Sequence, residues 1–224
     1  MNIDTCWYKD VCRIEVCEES CIRYRCMYAL FSRSRLPEAK WRQFPLIAFD
    51  DDLETYRRLA VIKDDIDNFI RAGKNIYIYS SQPGNGKTSW AIRLMSAYFD
   101  KIWDYGAFEC RGVYINVTTF MQTAKENISH PSKEYSDLLE DLSTCDVVIW
   151  DDIGVDKLTD YEYKLLFNII DQRSLAQKAN IYTTNISEND FSSVVGNRLS
   201  SRILGNCEIF EFVEEDKRGL NDNG

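Results

Sequence analysis

Long apolar runs are missing from this chain: nowhere do about 18 or more uncharged apolar residues follow one another, which excludes a membrane-spanning helix. The N-terminus, MNIDTCWYKDVC, lacks the basic start and apolar middle of a signal peptide, so a soluble, intracellular (cytoplasmic) protein with no membrane partner is expected. Histidine is almost absent, and the one residue, His130 beside Pro131, reads as a loop residue rather than a metal ligand. No internal repeat or low-complexity tract is present, which sets aside repeat architectures. Positive charge is scarce where a nucleic-acid coat would need it. Residues 1–44 carry a net +2, so the rest carries −11 of the overall −9. An acidic body argues against a broad nucleic-acid-coating surface but not against a narrow basic groove formed in an assembly.

What is present suits one main domain. At 224 residues, 45% apolar and 13% aromatic, the chain can bury one good core and a small appendage. From Lys74 onward, short apolar runs alternate with amphipathic stretches, the signature of a parallel sheet covered by helices. Strands are expected at 75–80, 112–117, 145–152, 180–185 and 207–213. Helices are expected at 87–100, 118–128, 132–142, 159–176 and 194–204, with Thr159 and Glu162 forming a capping box. Before Lys74, residues 51–73 read as one amphipathic helix stopped by Gly73, and 33–49 as a connector with two prolines. The domain boundary is placed near Pro45, giving a Cys-rich segment and linker at 1–44 and the α/β domain at 45–224.

The stretch SSQPGNGKTSW, residues 80–90, lies between an expected strand and an expected helix. That is the context of a phosphate-binding loop, where backbone N–H groups converge on an anion at a helix N-terminus. Gly84 and Gly86 supply the permissive backbone, and Pro83 to Thr88, with Asn85 among them, supply the amides, followed by Ser89. Lys87 supplies an ammonium for the β- and γ-phosphates, and Thr88 a hydroxyl for Mg²⁺. Ser81 departs from the pattern, standing where its leading glycine belongs. It lies at the loop's entry, before the amides that would touch phosphate.

VVIWDD ends a strand buried on both faces with two carboxylates. Asp151 is placed to hold Mg²⁺ through water, and Asp152 to act as general base toward the attacking water. Asn185, closing the next strand in IYTTN, falls beside the same pocket because loops at one end of adjacent parallel strands converge. The bland alternative is that the two aspartates merely cap a turn before Gly154, and Thr183, Thr184 and Asn185 could equally be a polar strand end.

SQPGNGKTSW, CDVVIWDDIG, IYTTN and GNRLSSRI, in this order and spacing, resemble the AAA+ P-loop ATPases of the DnaC/DnaI helicase loaders and the related IstB transposition ATPases, over roughly residues 46–213. The resemblance implies an ATP-fuelled oligomer that self-associates through its ATP interface. It further implies binding to a hexameric replicative helicase, placement of that helicase on single-stranded DNA, and binding of ATP/ADP with Mg²⁺. Compact loaders of this form are common in phages, so a phage-encoded protein acting in a bacterial host is expected. By the same resemblance Arg202 matches the arginine finger that reaches a neighbour's γ-phosphate. Arg198 sits one turn earlier on the same face, and Arg218 is a candidate sensor near the nucleotide. Asp152 stands where many AAA+ proteins carry Glu, so hydrolysis is expected to be slow. A full C-terminal lid domain is not expected. A transposition ATPase, a nucleotide-dependent adaptor and a P-loop nucleotide kinase are the alternatives, although no arginine-rich kinase lid follows DDIG.

Five of the eight cysteines, Cys6, Cys12, Cys17, Cys21 and Cys26, crowd the first 26 residues. Without an export signal such a cluster points to a metal rather than disulfides. The spacing lacks the C-x₂-C knuckles of ordinary zinc ribbons, but four thiolates can still close a tetrahedral Zn²⁺ site and staple a segment too short to fold alone. Cys6, Cys12, Cys17 and Cys21 are the expected ligands, because Cys26 opens the apolar CMYALF and reads as a buried helix residue. An iron–sulfur cluster would need the same four thiolates. DnaI-type loaders carry an N-terminal zinc domain that contacts the helicase, which implies the same role for this segment.

Overall fold

The computed structural model describes residues 6, 21–42 and 50–216. The boundary near Pro45, the cysteines Cys12 and Cys17, Arg218 and the tail RGLNDNG lie outside these residues. Among those described, helices α1 (Ile22–Arg33), α2 (Leu53–Asp64) and α3 (Ile66–Arg71) precede the first strand. Strands and helices then alternate as β1 (Asn75–Tyr79), α4 (Lys87–Gly106), β2 (Gly112–Asn116), α5 (Val117–Ser129), α6 (Lys133–Thr144), β3 (Val147–Asp151), α7 (Asp160–Leu175), β4 (Ala179–Thr184), α8 (Glu188–Val195), α9 (Asn197–Leu204) and β5 (Cys207–Glu211). All pairings are parallel, in the order β2-β3-β4-β1-β5, so the expected α/β sheet flanked by helices is what the chain forms.

The two-residue period of the strands sends side chains to opposite faces. Ile76, Ile78, Val147, Ile149 and Ile181 join a core built with α1 to α4. Tyr77, Tyr79, Val148, Trp150 and Tyr182 join a second core built with α5 to α9. Both faces are covered, which explains why the strands read as nearly continuous apolar runs.

Residues on the N-terminal side of Pro45 belong to this packing. Met27, Leu30 and Phe31 of α1 are buried, Phe31 meets Phe99 edge-on with ring centroids 5.2 Å apart, and Arg23 pairs with Asp100. Beyond α1 the chain becomes a strap along edge strand β2: the Tyr114 N–H donates to the Ser34 carbonyl at 2.8 Å. Leu36 and Trp41 are buried on either side of a 3₁₀ turn at Glu38–Lys40. Covering part of an edge strand in this way removes hydrogen-bonding groups that would otherwise invite another chain.

Two expected helices are divided. The helix over 51–73 breaks at Asp65, whose carboxylate accepts from the Asn68 side chain at 2.7 Å, as short polar side chains do when they compete with the helical ladder. The helix over 194–204 breaks at Gly196, which at φ 83° ends α8 and begins α9. The expected capping box at Thr159 and Glu162 is formed. No helix among the described residues is long and apolar enough to cross a membrane.

Candidate functional site

β1 delivers the chain into the loop at 80–86, and α4 begins at Lys87, so the positive end of a 20-residue helix faces the loop. Gly84 and Gly86 have φ of 72° and 101°, conformations that an L side chain rarely adopts. A Cβ at Gly84 would also meet the Asp216 carboxylate, an exposed side chain that could swing aside, so it is the backbone conformation that calls for glycine here. Ser81 is not among the residues with positive φ, so its position does not call for the glycine of the motif. Side chains brace the loop from inside. The buried Ser80 hydroxyl accepts the Gln82 N–H at 3.1 Å and the Asn85 side-chain amide. Asn85 also donates to the Glu214 carbonyl at 3.3 Å. Lys87 Nζ donates to the Gln82 carbonyl at 2.9 Å and to Asn85 Oδ1 at 3.3 Å, which curls the ammonium back over the loop.

Asp151 lies beneath this loop at the end of β3, buried and held by three hydroxyls from three elements. Thr88 of α4 donates to Oδ1 at 2.7 Å, Thr183 of β4 donates to the same oxygen, and Tyr114 of β2 donates to Oδ2 at 2.6 Å. Burial first, and then the Asp151 charge, push the Tyr114 pKa well above the ordinary phenol range, so this hydroxyl keeps its proton and serves as a donor. Asp152 turns away from the strand at φ 60°, its N–H donating to Thr183 Oγ1 at 3.2 Å and its Oδ2 facing the Asn116 amide at 3.5 Å. The following residues are pinned to β4 as well: the Ile153 N–H donates to the Thr183 carbonyl at 3.0 Å, and the Thr184 hydroxyl to the Ile153 carbonyl at 2.6 Å.

Pro83 to Ser89 line a cavity of about 390 Å³ together with Asp152, Val155 and Asn185. The structure therefore brings together the loop, Asp152 and Asn185, with Asp151 tethered to the cavity through Thr88. Three parallel strands ending at one edge account for this convergence. The donor set is a cluster of amides at a helix N-terminus, a lysine, a hydroxyl and two carboxylates. It can hold a polyphosphate and a hard cation.

Arg198 and Arg202 lie on α9, outside the lining of this cavity. Arg202 Nε pairs with Asp171 of α7, and the Arg198 guanidinium stacks over the Phe167 ring at 5.2 Å. Of the four expected zinc ligands, Cys6 packs against the first core. Cys21 caps α1, its Sγ accepting the Tyr24 N–H at 3.4 Å. Among the described residues no group of three or more His, Cys, Asp and Glu is arranged to hold a metal, and Cys12 and Cys17 lie outside them. Burial raises the thiol pKa of Cys110, Cys145 and Cys207, in keeping with their apolar surroundings.

Sequence reasoning missed Tyr114, Asn116, Ser80 and the structural part played by Thr183. Asn116 was within reach of the argument that found Asn185, since it also ends a strand at this edge. Tyr114 carried no motif, and only the fold places its hydroxyl on Asp151.

The chain resembles known proteins over this same region. It is 28% identical over 134 residues to the replicative helicase loader DnaC of Escherichia coli (strain K12), covering 58% of this chain and 51% of that protein. The chain thus spans about half the length of the curated relatives it matches. A crystal structure of the DnaC helicase loader superposes with a TM-score of 0.66 at 19% identity, covering 79% of this chain and 99% of that one. A crystal structure described as DnaI gives 0.62 at 15% identity, covering 82% and 95%. Likeness at that identity establishes the fold alone. The family pattern described as IstB-like ATP binding protein matches residues 59–220, a span that contains the loop, both aspartates, Asn185 and α9. On that match and this geometry, the chain belongs to the IstB-like ATP-binding protein family.

Proposed function

We propose that this chain is an ATP-dependent loader that binds a hexameric replicative helicase and helps deposit it on single-stranded DNA during replication. The observation that carries the reading is the meeting of Lys87, Thr88 and Asp152 at one cavity, with Asp151 held through Thr88, in a family member that resembles DnaC loaders. Pro83 to Ser89 would hold the phosphates of ATP or ADP, and Thr88 with Asp151 would hold Mg²⁺. Bound Mg²⁺–ATP supplies a phosphoryl group activated for transfer to water. Asp152 would take up the proton of that water, and Asn185 would orient it. Arg202, with Arg198 beside it, would reach from one subunit toward its neighbour's nucleotide, which makes self-association part of the active site, and Arg218 would sense the nucleotide. Turnover is expected to be slow because Asp152 is one methylene shorter than the Glu of many AAA+ proteins. Zn²⁺ held by Cys6, Cys12, Cys17 and Cys21 would order the N-terminal segment for helicase contact.

The short Asp152 side chain also favours a second reading, an adaptor that binds ATP without significant turnover. ATP hydrolysis with and without single-stranded DNA, together with unwinding by a hexameric bacterial helicase on protein-coated circular DNA, separates the two. A loader stimulates unwinding, and Lys87→Ala removes the stimulation. Unwinding unchanged by the protein would defeat the loader reading.

A further inference from the structure

The strap at residues 34–41 ends against the support of Asp151. Lys40 Nζ donates to the Tyr114 hydroxyl at 3.0 Å and lies 4.9 Å from the ring centre. That hydroxyl in turn donates to Asp151 Oδ2 at 2.6 Å, so an unbroken chain of donors runs from the strap to the carboxylate. Tyr114 and Asp151 are buried, and the strap is held on both sides of Lys40: Ser34 accepts the Tyr114 N–H at 2.8 Å, and Trp41 is buried in the first core against Phe31. A cation donating to a hydroxyl strengthens the hydrogen bond which that hydroxyl makes to an anion beyond it.

We propose that Tyr114 and Lys40 are positioning residues through which the seating of the N-terminal strap sets the geometry of Asp151, and with it Mg²⁺-dependent nucleotide binding. The proposal rests on the ATP reading above and makes residues 34–41 the link between whatever the N-terminal segment touches and the metal side of the site. A strap pulled away from β2 withdraws Lys40, loosens Tyr114 and leaves Asp151 with the Thr88 and Thr183 hydroxyls on its other oxygen. Coupling of this kind is reciprocal, so Mg²⁺–nucleotide must also hold the strap down.

The test is titration of a fluorescent ATP analogue in Mg²⁺ and in EDTA, on wild type, Tyr114→Phe, Lys40→Met and Lys40→Arg, with melting temperature as a check on folding. Tyr114→Phe is expected to lose about tenfold in affinity with Mg²⁺, the usual cost of removing a partner that orients a metal ligand, and to match wild type in EDTA. Lys40→Met loses less in the same direction, and Lys40→Arg, which still donates, stays near wild type. Should Tyr114→Phe fail to fold, Lys40→Met carries the same comparison, because its side chain is only half-buried. Hydrogen exchange supplies the reciprocal readout: Mg²⁺–nucleotide protects the amides of 34–41 in wild type and fails to do so in Lys40→Met. Wild-type affinity in Mg²⁺ for both variants, or equal losses in Mg²⁺ and EDTA, would overturn the coupling and leave the ATP reading intact. A wild type that binds no nucleotide would overturn both.

Discussion

Replacing Thr183 by valine removes one hydroxyl from the centre of the site while keeping the side-chain volume. In the native fold that hydroxyl donates to Asp151 Oδ1 and accepts the Asp152 N–H at 3.2 Å, in a residue with no exposed surface. The first bond is made to a charged group and contributes about 1.5–3 kcal/mol; the second leaves a partly buried N–H without its acceptor, at a cost of about 1 kcal/mol or more. Asp151 keeps Thr88 and Tyr114, and the added methyl recovers part of the loss. The net destabilisation is therefore about 2–4 kcal/mol, equivalent to a fall in melting temperature of about 5–15 °C for a chain of this size. The assay is thermal unfolding without nucleotide, followed by circular dichroism. Thr183→Ser, which keeps the hydroxyl, should fall much less. If valine melted within about 1 kcal/mol of wild type, the hydroxyl would not be what ties β3 to β4 at this edge.

Asp151→Ala is expected to retain nucleotide binding in EDTA and to lose Mg²⁺-dependent turnover, measured by phosphate release; wild-type turnover would remove Asp151 from the metal. Arg202→Ala should leave nucleotide affinity of the isolated chain unchanged and lower turnover by about 10³-fold or more where chemistry limits the rate. Mixing it with Lys87→Ala chains should restore part of that activity, since one interface then joins an intact loop to an intact arginine. No recovery in co-assembled mixtures would place Arg202 outside a shared site. Metal analysis of purified protein should find about one Zn per chain, and Cys17→Ser should remove it while nucleotide binding persists. Neither Zn nor Fe in the wild type would end the metal reading.

Sequence periodicity located the five strands and the loop because each carries a local signal: apolar runs bounded by turn residues, and a glycine pattern between strand and helix. It also placed Asp152 and Asn185 at the cavity, since strand ends on one edge of a parallel sheet must converge. What it could not supply were contacts between elements distant in the chain. Nothing local in KWRQ marks Lys40 as a partner of Tyr114, 74 residues away, and nothing in FSRSR marks Ser34 as a cover for the sheet edge. The breaks at Asp65 and Gly196 did have local signals, a short acidic side chain and a glycine. There the amphipathic pattern ran through on both sides and concealed the interruption. The Ser187 cap of α8, whose side chain accepts the Asp190 N–H at 3.2 Å, was likewise legible and overlooked.

The manner in which each charged residue is held divides the site into fixed and exchangeable parts. Asp151 is buried and receives three hydroxyl donors from α4, β2 and β4, so moving it means breaking charge-assisted bonds in a low-dielectric setting. Asp152 is bound to that arrangement through Thr183, and its left-handed backbone, which costs about 1 kcal/mol, is tolerable because the same tether over-determines it. Arg202 is held differently. Its side chain is 47% exposed and its ion pair with Asp171 is of the surface kind, which contributes at most about 1 kcal/mol and less in salt. An arginine that must leave its own chain's carboxylate for a phosphate across an interface can do so at that small cost. An aspartate proposed to hold a metal would gain nothing from such freedom. On the proposed reading, the rigid sheet edge and the loosely anchored arginine of α9 would be the two halves of one requirement: a preformed phosphate site that stays inactive until a second subunit supplies the missing charge.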